Sequence, residues 1–153
     1  MSELIDTKEL LDTNVLVYAH DKDTGVKHER AKQLIHDLSE KNRLIFSSQV
    51  LNEFYVSITR PRRANPLPHE EAAQIVRELA GAYRVLPLTS EITIRALNIM
   101  PLHVLSFWDA LIWAAAKEYG IATIYSEDFQ HGREIEGVKF INPFLEEKTQ
   151  TQT

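Results

Sequence analysis

The 153-residue chain contains no cysteine. That excludes disulfides, thiolate metal sites and a cysteine nucleophile, and it fits a reducing compartment. No apolar run approaches the roughly 20 residues that a membrane-spanning helix needs. The opening residues, Met1-Ser2-Glu3-Leu4-Ile5-Asp6, lack the basic-then-apolar order of a secretory signal. A cytoplasmic location without membrane contact is the expectation. Positive charge is also scarce, with 17 Lys and Arg against 22 Asp and Glu and a net charge of −5. The strongly basic surface that usually marks a nucleic-acid binder is therefore missing. This argues mildly against tight non-specific nucleic-acid binding. It leaves room for a nuclease whose acids are gathered in a metal site, because setting four carboxylates aside leaves a nearly neutral remainder. G-x-S-x-G, G-x-G-x-x-G and phosphate-loop motifs are absent. Without HExxH or a close histidine pair, a structural zinc site is not expected.

What is present is ordinary for a globular protein: 44% hydrophobic and 25% charged residues. The length suits one domain with a real core. Strand-like and helix-like patterns alternate along it. Glu9 to Asp12 reads as a short strand and Val15 to Ala19 as a short apolar helix. Ala31, Leu34, Ile35 and Leu38 recur at helical spacing within Val26 to Lys41. Leu44-Ile45-Phe46 is a second strand, after which Ser47 or Ser48 can cap a helix that places Val50, Phe54 and Ile58 on one face. Arg60 to Pro68 is a loop rich in arginine and proline. His69 to Ala80 is helical, Tyr83 to Leu88 contains a third strand, and Thr89 or Ser90 caps a helix up to about Met100. Ser106 to Tyr119 is the longest apolar helix, followed by strands at Ala122 to Tyr125 and Val138 to Ile141. The five glycines fall at turns or helix ends. This alternation predicts an α/β fold, a three-layer α/β/α sandwich around a central, mainly parallel, short-stranded sheet. Residues 1–145 are expected to form a single domain, and Glu146 to Thr153 a polar, disordered tail.

One carboxylate stands out. Asp12 lies between Leu10-Leu11 and Val15-Leu16-Val17, and an ionised carboxylate is costly to bury without a partner. On this segment alone a helix N-cap is the simpler reading, since Asp, Thr and Asn all favour that position. The alternative is a ligand site, because open α/β sheets bind ligands at the carboxyl ends of their strands. A second acid, Asp109, is the only charge before Lys117 in an otherwise apolar helix. Such helices are normally buried. Ser106 and Asp109 can form a capping box there, yet capping does not require so apolar a setting. Glu53, early in its helix, taken alone reads as a solvated residue, and Asp128, after Tyr125, as a turn residue.

Together these acids share one property. Asp12 and Asp128 fall just past strand ends, while Glu53 and Asp109 fall in the first turns of helices, so a parallel sheet would place all four on one edge. Gathered carboxylates raise one another's pKa unless a divalent cation is present, and hard oxygen ligands suit Mg²⁺ or Mn²⁺.

The succession Leu-Leu-Asp-Thr-Asn-Val-Leu from Leu10, Glu53 in a serine-rich helix start, Ser-Phe-Trp-Asp-Ala-Leu-Ile from Ser106, and Tyr-Ser-Glu-Asp-Phe from Tyr125 resembles a PIN domain. Within that family it is most similar to the VapC-type toxins of bacterial toxin–antitoxin systems. The resemblance covers about Lys8 to Phe144. It implies a Mg²⁺- or Mn²⁺-dependent endoribonuclease that leaves a 5′-phosphate and a 3′-hydroxyl, the toxin of a type II system. On its pattern Asp12 and Asp109 are catalytic acids and direct metal ligands, Glu53 is the second acid, and Asp128 helps hold a metal or position the water. Asn14 and Ser126 match the small polar residues that support the site, and Glu127 is an extra acid competing for the place of Asp128. The implied partners are an RNA substrate, a cognate VapB-type antitoxin and a second copy in a homodimer.

Other residues admit two readings. Arg60, Arg62 and Arg63 are the densest positive cluster, either a solvated loop or a phosphate-positioning element. Tyr55 and Trp108 have the chemistry to stack on bases, but their apolar neighbours favour core positions. Asp21-Lys22-Asp23-Thr24-Gly25 resembles a calcium loop only faintly, with its glycine misplaced and Lys32 at position twelve. A catalytically silent PIN-like module that binds RNA or protein is the alternative function. A haloacid-dehalogenase phosphatase ranks low because Asn14 stands where a second Asp is needed, and a receiver domain because its third strand should end in an Asp.

Overall fold

The structure, a computed structural model, describes residues 8–145. The expected tail at 146–153 lies outside the described residues. The strands are β1 (Glu9–Leu11), β2 (Leu44–Ser47), β3 (Arg84–Leu86), β4 (Thr123–Tyr125), β5 (Glu134–Ile135) and β6 (Val138–Ile141). The helices are α1 (Thr13–His20), α2 (Val26–Glu40), α3 (Ser48–Thr59), α4 (His69–Ala82), α5 (Ser90–His103) and α6 (Phe107–Glu118), with a short 3-10 turn at Lys22–Thr24.

The six strands form one sheet in the order β3-β2-β1-β4-β6-β5. Every pairing is parallel except β5 with β6. Parallel strands need long crossovers, and here those crossovers are the helices. The result is the three-layer α/β/α architecture expected from the alternating patterns. The central strands are buried on both faces, as Leu10, Leu11, Ile45 and Phe46 show, which is why they read as continuous apolar runs. Helix α6 buries every residue from Ala110 to Ala116. Four alanines in that stretch let the backbone approach the sheet and α5 closely.

Two details depart from the expected outline. Helix α5 runs on to His103, with Pro101 in its last turn and Val104 closing it in the left-handed conformation at φ 53°. Pro101 has no N–H to give the carbonyl four residues back, so the helix loses one ladder bond in its last turn. Strand β5 is an addition. Only Glu136 and Gly137 separate it from β6, at φ 46° and φ 88°, the geometry of a two-residue hairpin whose twist matches its strands.

For the site, the decisive feature is the position of β1. Its chain continues to β2 on one side, while β4 lies on the other. The sheet reverses its winding between β1 and β4, and the connections that leave their carboxyl ends run to opposite sides, which opens a crevice above the paired strand ends.

Candidate functional site

Asp12 follows β1 directly; it is the N-cap of α1 and lines the cavity at the strand ends. One carboxylate oxygen accepts the Thr13 N–H at 2.7 Å, starting α1. The other accepts the Ser126 hydroxyl at 2.7 Å, across the crevice from the end of β4. The residue is 7% exposed. Burial pushes its carboxyl from 3.8 up to about 7. The two hydrogen bonds oppose that rise, while the charges of Asp128 and Glu53 add to it. The protein alone therefore leaves this anion under-compensated.

The β4 turn is built to match. Ser126 is fully buried, and its oxygen also accepts the Asp128 N–H at 3.1 Å. Asn14, on the first turn of α1, accepts the Glu127 N–H through Oδ1 at 3.2 Å and donates to Ser126 Oγ at 3.5 Å. Asn14 and Ser126 thus tie the two strand ends together. Glu127 turns away from the crevice, accepting the Tyr18 hydroxyl at 2.7 Å and pairing with Lys27. Asp128 faces the crevice instead.

Asp109 is the third residue of α6, and Ser106 caps that helix by accepting the Asp109 N–H at 3.2 Å. Burial raises its carboxyl; the Ser106 hydroxyl works against this, and the Asp128 and Glu53 charges reinforce it. Glu53 is not in the first turn of its helix, as expected, but in the second, because Ser47 caps α3 and helical residues begin at Ser48. It still reaches the crevice because helical side chains lean toward the N-terminus. Its Oε1 accepts the Thr13 hydroxyl at 2.8 Å and the Gln49 amide at 3.2 Å.

All four acids line one cavity of about 350 Å³, shared with Thr13, Gln49, Arg60 and Trp108. Of the three arginines, only Arg60 borders it. Arg63 is drawn off to Asp21 at 2.6 Å, and Arg62 is exposed. Asp21 and Asp23, the weak calcium-loop candidates, serve as anchors for this loop, with Asn65 donating to Asp23 at 3.0 Å. Trp108 is not a core residue: it is 58% exposed, because at the second position of α6 it points off the helix end. Tyr55 is half-buried and hydrogen-bonded to His69 at 2.8 Å.

Thr13 and Gln49 escaped the sequence reading. The Gln49–Glu53 pair had a signal, the i,i+4 spacing on a helix. The Thr13–Glu53 contact had none, since it joins residues 40 apart.

The donor set of this cavity is hard oxygen with excess negative charge, which fits Mg²⁺ or Mn²⁺ rather than a soft metal. Gln49 adds a buried amide whose Oε1 has no partner. Among the described residues no three carboxylate or imidazole groups form a ready-made cage, and Glu53 is turned onto Thr13 and Gln49. The acids surround a space; they do not converge on a point.

The fold and crevice define an α/β domain with an acidic pocket at the switch point of a parallel sheet. The PIN domain family model matches residues 10–133, and the chain belongs to that family. Solved structures of similar fold include FitAB bound to an IR36 DNA fragment, with 22% identity over 92% of this chain and 98% of that one and a TM-score of 0.65. VapC20 of Mycobacterium tuberculosis, a sarcin-ricin-loop-cleaving toxin, shares 21% identity over 79% of this chain and 90% of its own, with a TM-score of 0.61. A toxin–antitoxin complex from Klebsiella pneumoniae shares 18% identity over 90% of this chain and 98% of its own, with a TM-score of 0.63. At these identities the likeness is one of fold. No curated protein matches the chain.

Proposed function

We propose that this chain is a Mg²⁺- or Mn²⁺-dependent endoribonuclease and the toxin of a type II toxin–antitoxin pair, acting through Asp12, Glu53, Asp109 and Asp128. One observation carries the reading: the buried Asp12 carboxylate, which its own hydrogen bonds leave under-compensated, shares a cavity with three further acids. A divalent cation held by these oxygens would lower the pKa of a bound water and offset charge on the phosphate. The chain's residues set the stage for that chemistry. Ser126 and the Thr13 amide hold the two oxygens of Asp12 in place. Thr13 and Gln49 orient Glu53. Asn14 and Ser126 hold the turn that presents Asp128. Arg60, at the cavity border, is positioned to take a phosphate.

The reading takes residues 1–145 as one domain, working in the cytoplasm as a homodimer and restrained by a VapB-type antitoxin. Structures of similar fold that are toxin–antitoxin and FitAB complexes support such a partner. Among the described residues no single helix is long and apolar enough to cross a membrane.

The test is cleavage of total RNA by the purified full chain. Activity is expected with Mg²⁺ or Mn²⁺, with 5′-phosphate product ends, and should vanish in EDTA. Equal activity in Asp12→Asn and Asp109→Asn variants would overturn the assignment. No calorimetric Mn²⁺ binding, alongside normal RNA or antitoxin binding, would identify a silent binding module instead.

A further inference from the structure

A second cavity, of about 500 Å³, adjoins the acidic one. The two share Gln49, Glu53, Arg60 and Trp108, so they form one continuous depression with two chemistries. The acidic part holds the carboxylates. The adjoining part is walled by Val56, Leu88, Leu111 and the Trp108 ring, with Asn52 and Arg60 at its polar edge. Trp108 and Val56 are 58% and 51% exposed, although burying such side chains is favourable. The Trp108 ring rests edge-on against Phe107 at 5.2 Å, and its backbone carbonyl accepts the Gln49 amide at 3.1 Å, which anchors the start of α6 to α3. An aromatic ring at the rim of an apolar hollow, one residue from Asp109, is a platform without a partner.

We propose that this hollow is the subsite for a nucleobase next to the scissile phosphate, with Trp108 as the stacking surface. The proposal rests on the ribonuclease reading of the adjoining cavity. Its logic is one of continuity and charge. A phosphate between Arg60 and the acid site has its flanking base within reach of the apolar wall. Bases present flat π-faces to aromatic rings whatever their identity. A duplex cannot offer such a face, because its bases are stacked on one another, and single-stranded loops are where proteins find splayed bases. The exposed amide of Asn52 supplies a polar group for a base edge. Trp108 is thus a substrate-positioning residue.

Trp108 can be followed directly, since the only other tryptophan, Trp113, is buried with its Nε1–H bonded to the Ile135 carbonyl at 3.0 Å. The full chain would be titrated in Ca²⁺ with a fluorescein-labelled single-stranded oligoribonucleotide, its duplex and an abasic version. Expected are quenching of Trp108 emission by the single strand, and weaker binding of the duplex and the abasic strand. Trp108→Ala should raise Kd about tenfold or more, and Trp108→Phe should stay within a few-fold of the parent. In cleavage assays Trp108→Ala should raise KM much more than it lowers kcat. An unchanged Kd and KM in Trp108→Ala, equal binding of the abasic strand, or no oligonucleotide binding at all would overturn the subsite. The two readings fail separately. Cleavage with an unchanged Trp108→Ala KM removes the subsite alone. Trp108-dependent binding with no cleavage in Mn²⁺ removes the nuclease alone.

Discussion

Replacing Asp12 by Asn should make the metal-free protein more stable at neutral and alkaline pH. The carboxyl ionises near 3.8 in an unfolded chain and, through burial, at about 7 in the folded one. Between these values the unfolded chain has released a proton that the folded chain retains, so stability falls as pH rises through the window. The difference corresponds to a folding penalty of about 4 kcal/mol on the ionised form. Relaxation and water entry into the open crevice reduce this, and roughly 2–4 kcal/mol is a reasonable range. Asparagine keeps the oxygen that accepts the Thr13 N–H and removes the charge. In EDTA the variant should therefore melt roughly 5–10 °C above the parent at pH 8. The gap should close toward pH 4, where the folded parent is neutral at this position and the unfolded chain begins to take up the same proton. Mn²⁺ should reverse the order, because a ligand that binds only the folded parent raises its melting temperature by mass action. The assay is thermal unfolding from pH 4 to 8, in EDTA and in Mn²⁺. Parallel pH profiles for parent and variant in EDTA would refute the account of Asp12 as a destabilising buried anion.

Ser126→Ala removes the hydroxyl that lowers the Asp12 pKa and accepts the Asp128 N–H. Calorimetry should show Mn²⁺ affinity falling and its pH threshold moving upward, with a stability loss of about 1–3 kcal/mol at pH 8. Arg63→Ala frees the loop from Asp21, a half-buried pair at 2.6 Å; KM for RNA should rise several-fold through Arg60, while Mn²⁺ affinity is unchanged. Glu127→Gln breaks the pairing with Lys27, whose side chains are 44% and 26% exposed. Denaturant melts should show a loss below about 1 kcal/mol, with metal binding intact, because Asp128 rather than Glu127 faces the cavity.

Much of the framework was legible because burial writes itself into period and composition. The buried runs at Leu10-Leu11 and Leu44-Ile45-Phe46, and the apolar helix after Ser106, each declared their element. Glu136-Gly137 did not, since two residues carry too little pattern to announce a hairpin. Trp108 was misplaced by the same logic, because apolar neighbours on a helix say nothing about which residue stands at its exposed end.

By itself the sequence determined the alternation of strands and helices, the caps at Asp12 and Ser106, two further caps to within one residue (Ser47 or Ser48, Thr89 or Ser90), and the candidate acids. These follow from local propensity and from apolar spacing, which a linear chain carries within a few turns. Only the tertiary structure decided that Asp128 and not Glu127 faces the crevice, that Arg60 and not Arg63 borders it, and that Asp12 is clamped by a hydroxyl 114 positions away. Those choices depend on sheet order: placing β4 beside β1 brings distant turns within hydrogen-bond reach and takes a carboxylate out of water. Charge compensation across such a distance leaves no mark on local sequence.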